Sequence, residues 1–299
     1  MENKFYHYTS VQALFGIIES KSFWLVSGNN TNDPNELKYA EKAITEALEY
    51  ISSNDPQFDF AAKEYIEEKR NSKTKIINNT GYFMCFSEQS DSLNHWRYYA
   101  DNQTGIAIAC DFSKIDYAFE KLGFKGLNSV IDHFNLAYNN QDVIKMIREL
   151  MDKYFNGRKI TSRKSYEDLI EYAMPRIKGD AFQEEHEHRL FRTYKYGFGY
   201  NDNYKNVEDK LNNLIRNNNE LGLSSSKIKF YCNGQIIRPY YQIDIQKLAE
   251  LSNIDISEII PEIVLGPLCR QNKNDLRIIL NRAGMKKTII NVSKIKIRR

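Results

Sequence analysis

The stretch 182–192 reads FQEEHEHRLFR, and the interpretation of the whole chain depends on it. Three carboxylates, two of the five histidines and two arginines fall within these eleven residues. If the segment is a strand from Glu185 onwards, its side chains alternate between two faces. One face then carries two carboxylates followed by an arginine, namely Glu185, Glu187 and Arg189.

Three interpretations fit this charged stretch. Paired carboxylates on one strand face can grip a ribose hydroxyl, stabilise a developing positive charge, or raise one another's pKa for acid–base work. An exposed ladder of alternating charges would instead be worth about 0–1 kcal/mol. A zinc site on His186 and His188 needs a third ligand, from His7 or His95, and no second ligand pair has a recognisable spacing. We therefore expect no metal.

The composition is that of a globular protein rather than of a disulfide scaffold. With 41% hydrophobic and 27% charged residues, the 299-residue chain can bury a sizeable core. The net charge of +3 does not indicate the basic stripe of a nucleic-acid-binding protein, although residues 294–299, KIKIRR, are locally basic. The four cysteines form no CxxC pair, and no apolar run indicates a signal segment or a membrane span. We expect a cytoplasmic protein with reduced thiols.

The pattern of apolar residues predicts an α+β fold with strands distributed along the whole chain. Short apolar and aromatic runs predict strands at residues 5–8, 23–27, 82–87, 105–111, 189–194, 259–265 and 287–297. Residues 127–178 read as mainly helical. We predict a single domain over residues 1–299 with a mainly helical insertion at about 113–180.

Two further aromatic segments lie at the ends of predicted strands. YHYT, at residues 6–9, can sandwich an aromatic ligand ring or bond a ribose, and it equally fits an edge strand with half-buried rings. In CFSEQSDSLNHWRYYAD, at residues 85–101, a strand leads into a capped helix on which Trp96 and Tyr99 share a face. A helix that packs this aromatic face into the core explains the same pattern.

Taken in order, these motifs resemble a known bacterial family. The set is YHYT, then NDPxE at residues 32–36, CFSxxxDSxxxWxxYAD, the apolar strand GIAIACD, ExExR, and IxxIVLGP at residues 260–267. It resembles the family catalogued as domain of unknown function 2971, over nearly the whole chain from Tyr6 to about Arg270.

That family in turn distantly resembles the ADP-ribosyltransferase fold, a mixed β-sheet core of two packed sheets with, in this chain, a helical insertion. The resemblance implies that His7, on the first strand, contacts the adenosine-side ribose of nicotinamide-adenine dinucleotide (NAD). It implies that Ser87 begins the middle motif and that Tyr98 or Tyr99 stacks on nicotinamide. Glu187 of the Glu-x-Glu sequence corresponds to the catalytic glutamate.

The activity that this resemblance implies is ADP-ribosyl transfer or NAD cleavage, with NAD as the substrate. Glu187 would offset the positive charge of an oxocarbenium-like state, and Glu185 would activate or position the acceptor. Further NAD contacts are expected from the strand, helix and ExE motifs, at Tyr6, Tyr8, Thr9, Trp96 and Arg189. The acceptor would be a protein or a nucleic acid, and no membrane partner is expected.

Many bacterial enzymes of that fold are toxins or phage-defence effectors. The resemblance therefore also implies such a role, with an antitoxin or a defence-system protein as partner. Two alternatives stay open. A non-catalytic module on the same fold would bind a nucleotide or a protein without turnover. A nucleic-acid-directed enzyme is indicated by the 20 tyrosines and the basic C-terminal segment.

Overall fold

The computed structural model describes residues 3–28, 36–55, 59–60, 81–124, 131–154, 159–160, 163–192, 220–222, 228–233 and 236–297. Its strands are β1 (Lys4–Thr9), β2 (Ser22–Ser27), β3 (Asp59–Phe60), β4 (Tyr82–Ser87), β5 (Ile106–Asp111), β6 (Ile131–Asn135), β7 (Lys159–Ile160), β8 (Glu187–Arg192), β9 (Lys229–Asn233), β10 (Ile236–Asp244), β11 (Glu262–Leu265) and β12 (Ile289–Val292). Its helices are α1 (Val11–Ser20), α2 (Glu36–Asn54), α3 (Leu93–Tyr99), α4 (Phe112–Leu122), α5 (Asn140–Tyr154), α6 (Arg163–Ala173), α7 (Ile245–Ser252), α8 (Ile256–Ile259) and α9 (Lys273–Arg282). The predicted mixed α+β class is confirmed. Most of the NDPxE motif and the last two residues of KIKIRR lie outside the described residues.

The chain divides into two compact units. The first comprises Met1–Val26, Tyr82–His133 and Glu185–Arg299, and the second comprises Ser27–Gly81 and Phe134–Glu184. Helix α4 belongs to the first unit, so the predicted insertion at 113–180 overlaps the second unit only from residue 134 onwards. The organisation of residues 1–299 as a single domain stays a prediction.

Ten of the described strands form one connected mixed sheet. Neighbouring strands follow the order β12-β11-β5-β1-β4-β2-β10-β9, and β8 pairs with both β4 and β6. Strand β8 runs along all six residues of β4, from Tyr82 opposite Arg192 to Ser87 opposite Glu187. Because a strand has only two edges, β1 and β2 share the other edge of β4. These ten strands thus form one sheet that branches at β4, and β3 pairs with β7 in a separate two-stranded sheet. The predicted core of two packed sheets is not confirmed.

The two faces of this sheet carry different side chains. The core face contributes to the largest buried hydrophobic cluster, together with residues of helices α1, α4 and α7. Its strand members include Phe5, Phe86, Ile108 and Leu190. The opposite face carries Tyr8 and Ala107, against which Trp96 of helix α3 packs. We call this opposite side the α3 face.

The turn that connects α3 to β5 is tightly folded. Asp101, Asn102 and Gln103 have φ values of 47°, 48° and 76°, in the left-handed region that Asp and Asn enter more readily than most residues. A Cβ on Gly105 would lie 2.2 Å from the backbone oxygen of Thr9. Only glycine therefore lets this turn approach β1 closely enough to hold the end of α3 against the sheet.

The second unit has its own hydrophobic cluster, built from helices α2, α5 and α6. In α2, buried residues recur every three or four positions, which places them along one stripe of the helix. These are Ala40, Ala43, Ile44, Ala47, Leu48 and Ile51. The helical character predicted for 127–178 is confirmed for most of the described part of that segment, which also contains the short strands β6 and β7.

Candidate functional site

Three residues from separate motifs form a row across adjacent strands. Tyr6 of β1 is directly opposite Ser87 of β4, and Ser87 is directly opposite Glu187 of β8. Directly opposed residues of antiparallel strands project from the same face. The row therefore spans about 10 Å on the α3 face.

The carboxylate of Glu187 lies in a buried ion pair. Nε of Arg189 donates a 2.6 Å hydrogen bond to Oε1 of Glu187, and these side chains are only 1% and 4% exposed. The guanidinium carbon of Arg189 lies 4.2 Å from the ring centroid of Phe83. Glu187 and Arg189 therefore share a face of the strand, as the alternation predicted.

Strand β8 starts two residues before the predicted strand at 189–194 and two residues after Glu185, so Glu185 is not part of it. Glu185 ends the 3₁₀ helix at Asp180–Glu185. His186 follows with φ of 43°, in the left-handed region, and β8 begins at Glu187. The predicted alternation from Glu185 is therefore wrong, because the left-handed residue turns the chain before the strand begins.

Glu185 is nevertheless held close to the row by three other side chains. The hydroxyl of Tyr99 donates a 2.6 Å hydrogen bond to Oε1 of Glu185. Its backbone oxygen accepts hydrogen bonds from Oγ of Ser87 at 2.8 Å and from Nε2 of His95 at 3.2 Å. Glu185 is half-buried, so its carboxylate is the more accessible of the two in the motif.

His95 is a site residue that sequence reasoning considered only as a metal ligand. Its side chain is buried, with the ring 4.9 Å from that of Tyr8 and 5.8 Å from that of Tyr99. Since Nε2 donates to Glu185, Nδ1 carries the lone pair of the neutral ring. Among the described residues, this buried Nδ1 has no hydrogen-bond partner. Burial also lowers the pKa of His95, which favours that neutral form.

His7 lies on the opposite face of the sheet from Glu187. Tyr6 pairs with Ser87, so the next residue faces away, and its ring lies 5.7 Å from that of Phe86 on the core face. Nδ1 of His7 is 2.8 Å from the backbone oxygen of Cys85. Burial lowers the pKa of His7. In this arrangement His7 cannot contact the same ligand as Glu187, contrary to our prediction.

The other residues of YHYT are placed differently. The hydroxyl of Tyr6 donates to Oε2 of Glu262 at 3.2 Å, on the α3 face. The hydroxyl of Tyr8 donates to the backbone oxygen of Gln89 at 2.8 Å, and burial raises its pKa. Thr9 is half-buried and pairs with Ile106 at the strand end. The tyrosines, not the histidine, thus point towards the candidate site.

Trp96 is a structural residue here, although we predicted a ligand contact. It is fully buried, and its Nε1 donates a 2.7 Å hydrogen bond to Oδ1 of Asp91. The same oxygen accepts from the hydroxyl of Ser293 at 2.6 Å. Of the aromatic residues on α3, Tyr99 is half-buried and Tyr98 is 77% exposed. Only these two tyrosines can offer a ring to a ligand.

Glu262 adds another carboxylate to the α3 face. It is opposite Ala109 in the pairing of β11 with β5, and its Oε1 accepts a 2.5 Å hydrogen bond from Nδ2 of Asn291. Sequence reasoning missed it, although the IxxIVLGP motif contains it. Strand pairing aligns Glu262 with Ala109 of β5 and Tyr6 of β1, which brings its carboxylate within reach of the Tyr6 hydroxyl.

The second histidine of the ExExR segment belongs to the core face. The ring of His188 stacks on Phe5 with centroids 3.9 Å apart. Its Nε2 is 3.0 Å from Nδ1 of His133, whose Nε2 is 2.9 Å from Oδ1 of Asp116. Burial and the neighbouring His133 lower the pKa of His188 to about 2. Among the described residues, no group of three His, Cys, Asp or Glu side chains could hold a metal ion.

The sequence also predicts that no segment spans a membrane. Within the described ranges, every helix is too short or too polar to cross a bilayer.

Comparisons with known proteins bear on the resemblance between the motifs and a bacterial family. No curated protein and no solved structure matches the chain. Residues 95–190 match the family described as protein of unknown function (DUF2971). The matched segment begins at His95 and contains Tyr99, Glu185 and Glu187. Over residues 95–190 the chain is therefore similar to the DUF2971 family, the family that its motifs resemble.

Proposed function

We propose that the protein cleaves NAD, as an ADP-ribosyltransferase or an NAD glycohydrolase, with Glu187 as the residue that stabilises the transition state. The observation that carries this proposal is the row of Tyr6, Ser87 and Glu187 across three adjacent strands. These residues come from the three motifs that resemble ADP-ribosyltransferases. They are far apart in the sequence, and the fold brings them together on one face.

The reaction breaks the bond between C1′ of the ribose and the nicotinamide nitrogen. The bonding electrons leave with nicotinamide, and the ribose passes through an oxocarbenium-like state. A fixed carboxylate beside that state stabilises its positive charge more than it stabilises the substrate. Glu187 supplies this carboxylate at one end of the row, and Arg189 holds it in place through the 2.6 Å hydrogen bond.

The acceptor step needs a group that takes up a proton. As the oxygen of water or of an acceptor hydroxyl forms its bond to C1′, its proton passes to a nearby base. Glu185 fits this role because its carboxylate is half-buried and is positioned by Tyr99. The ring of Tyr99 also lies beside the row, where it can stack on nicotinamide.

A non-catalytic binding module is the second candidate function. The burial of Glu187, at 4% exposed, favours it, because a substrate reaches this carboxylate only after the atoms that cover it move. A module of this kind would bind NAD or another nucleotide through the same tyrosines without releasing nicotinamide.

The test is to incubate the purified chain with NAD and to follow nicotinamide release by chromatography. We expect release by the wild type, a loss of at least about 100-fold in Glu187→Gln, and a smaller loss in Glu185→Gln. Glu19→Gln, on the exposed side of α1, is the matched control and should be fully active. Far-ultraviolet circular dichroism checks that each variant is folded.

Calorimetric titration with NAD separates the two candidates. Binding without release assigns the protein to the binding class. Release that is equal in the wild type and in both glutamate variants overturns the assignment of these residues. If the chain neither binds NAD nor releases nicotinamide, NAD is not its ligand.

We extend the proposal to the biological role of a bacterial toxin or a phage-defence effector, acting in the cytoplasm. Expression of the wild type should then arrest growth, and Glu187→Gln should relieve the arrest. Harmless expression of an active wild-type enzyme would contradict this role. The antitoxin or defence-system partner would be sought among proteins that restore growth.

A further inference from the structure

A cluster of aromatic rings lies on strands β2, β9 and β10, at the other end of the sheet from β12. Trp24 stacks on Tyr240, with ring centroids 4.4 Å apart and an angle of 29° between the planes. Tyr231 lies 6.1 Å from Trp24 and 5.7 Å from Tyr240. We call these three residues the aromatic patch.

The aromatic patch lies on the side of the sheet that faces away from the core. Trp24 is opposite Gln242, and Tyr240 is opposite Val26, so alternation places Trp24 and Tyr240 on one face. Leu25 follows Trp24 and Tyr241 follows Tyr240, so both project from the opposite face, where they belong to the main hydrophobic cluster. The patch is therefore not part of that cluster, and Trp24 is 38% exposed.

Two positive charges share this face. Lys229 is opposite Tyr240, and Arg238 is opposite Tyr231. Nζ of Lys229 donates to the neutral amide oxygen of Gln242. Among the described residues, Nε of Arg238 is buried without a hydrogen-bond partner.

The carboxylates near these cations are few. On this face of β10, the described carboxylate is that of Asp244, which accepts a hydrogen bond from the backbone N–H of Lys247 and caps helix α7. No ion pair of Lys229 or Arg238 is found among the described residues. The aromatic patch is thus flanked by two cations that no carboxylate on it neutralises.

We propose that the aromatic patch binds single-stranded nucleic acid. Unpaired bases expose ring faces that stack on aromatic side chains, and cations beside those side chains contact the phosphates. Trp24 and Tyr231 offer the rings, and Lys229 and Arg238 offer the charges. A duplex keeps its bases stacked inside, so the patch selects single strands. This proposal does not depend on NAD cleavage, although a nucleic acid bound here would also be a candidate acceptor.

The fluorescence of Trp24 gives a direct measurement. The chain has two tryptophans, and the other, Trp96, is fully buried. Stacking of a base on Trp24 should therefore quench the accessible part of the emission. The full-length chain is titrated with a 20-nucleotide single-stranded oligothymidylate, and anisotropy of a labelled oligonucleotide gives the affinity independently.

Two variants test the roles of the rings and the charges. Trp24→Ala should weaken binding about tenfold or more and abolish quenching, since one stacked base is worth about 1–3 kcal/mol. The double change Lys229→Gln with Arg238→Gln should also weaken binding. It should reduce the slope of log affinity against log salt by about 1.4, or about 0.7 for each phosphate that the protein no longer neutralises.

The matched controls are Phe15→Ala, an aromatic 52% exposed on α1, and Lys42→Gln, a lysine on α2. Both should bind as the wild type does. Thermal melting of each variant checks that it is folded.

Three outcomes would overturn the proposal. The first is no binding of the oligonucleotide by the wild type at low salt. The second is binding that is equal for single strands and for a duplex of the same length, or equal in the wild type and in Trp24→Ala. The third is tighter binding of polyglutamate than of the oligonucleotide, which would assign the patch to an acidic protein segment.

Discussion

Tyr99 on helix α3 and Glu185 in front of β8 are joined by a hydrogen bond of 2.6 Å, although 86 residues separate them. This bond ties the helix to the turn that precedes the buried ion pair of Glu187 and Arg189. It also orients the one carboxylate of the ExE motif that is not buried. The geometry of the candidate site therefore depends on the position of α3 as much as on the strand.

Replacing Tyr99 with Phe should weaken the site more than it weakens the fold. The variant loses one hydrogen bond to a half-buried carboxylate, so we expect a decrease of about 1 kcal/mol in the free energy of unfolding. Nicotinamide release should fall about tenfold, because Glu185 is no longer oriented. Tyr98→Phe is the control, since this neighbour is 77% exposed and should change neither quantity. Equal effects of the two changes would contradict the role of the bond.

The pair of Glu187 and Arg189 should show strong coupling. Removing one partner leaves the other charge buried, which costs about 3–5 kcal/mol. We therefore expect Arg189→Met to lower the free energy of unfolding by about that amount. The double variant Glu187→Gln with Arg189→Met should lose much less than the sum of the two single changes. Urea unfolding of all four proteins measures the coupling, and additive effects would mean that the two side chains do not interact energetically.

Acidification should destabilise the protein through His188. Its pKa is lowered to about 2 in the folded chain and is about 6.5 when unfolded, so the unfolded state takes up the extra proton as the pH falls through 6.5. Stability from this group is complete above pH 6.5 and is lost progressively down to about pH 2. Between pH 7.5 and 5.5 the expected loss is about 1.4 kcal/mol.

Urea unfolding at these two pH values checks this expectation. In His188→Phe, whose ring can still stack on Phe5, the loss between the two pH values should be smaller by about 1.4 kcal/mol. The other histidines with a lowered pKa, His7 and His95, remain in both proteins. The same pH dependence with and without His188 would show that this histidine is not held neutral by burial.

Two glycines should respond in opposite ways to alanine. In Gly105→Ala the new Cβ would be 2.2 Å from the backbone oxygen of Thr9 and 2.8 Å from that of Ala100, so the backbone must move, and we expect a loss of about 3 kcal/mol. In Gly16→Ala, within helix α1, nothing lies within 4 Å of the new Cβ. This variant should gain about 0.5–1 kcal/mol from helix propensity. Thermal unfolding of both proteins is the measurement, and a stable Gly105→Ala would mean that the turn is not tightly packed.

The sequence was sufficient to predict strands that overlap β1, β2, β4, β5, β8, β11 and β12, because each contains an apolar or aromatic run. It did not predict β6 and β7, which lie in the segment read as mainly helical. It was insufficient for the start of β8, because the left-handed conformation of His186 has no glycine or asparagine to signal it. It was also insufficient for the face of His7. Alternation in YHYT places either the histidine or the tyrosines beside Glu187, and only the pairing of Tyr6 with Ser87 decides which.

The residues that were missed are those whose roles depend on distant parts of the chain. Glu262 reaches the candidate site through the pairing of β11 with β5, and His95 through its bond to Glu185. Neither belongs to a local pattern that differs from an ordinary strand or helix. Trp96 shows the reverse case, since its motif implied a contact with NAD and the structure buries it fully with a hydrogen bond to Asp91.

The branching of the sheet at β4 has a consequence for how the protein reaches its native state. Strand β4 pairs with β1 from near the N-terminus and with β8 from beyond residue 186. Two long loops must therefore close before the row of Tyr6, Ser87 and Glu187 can form. Such non-local pairing is slow compared with helix formation. A chain still emerging from the ribosome would therefore have no assembled site until β8 has been synthesised, and a toxic activity would stay silent until then.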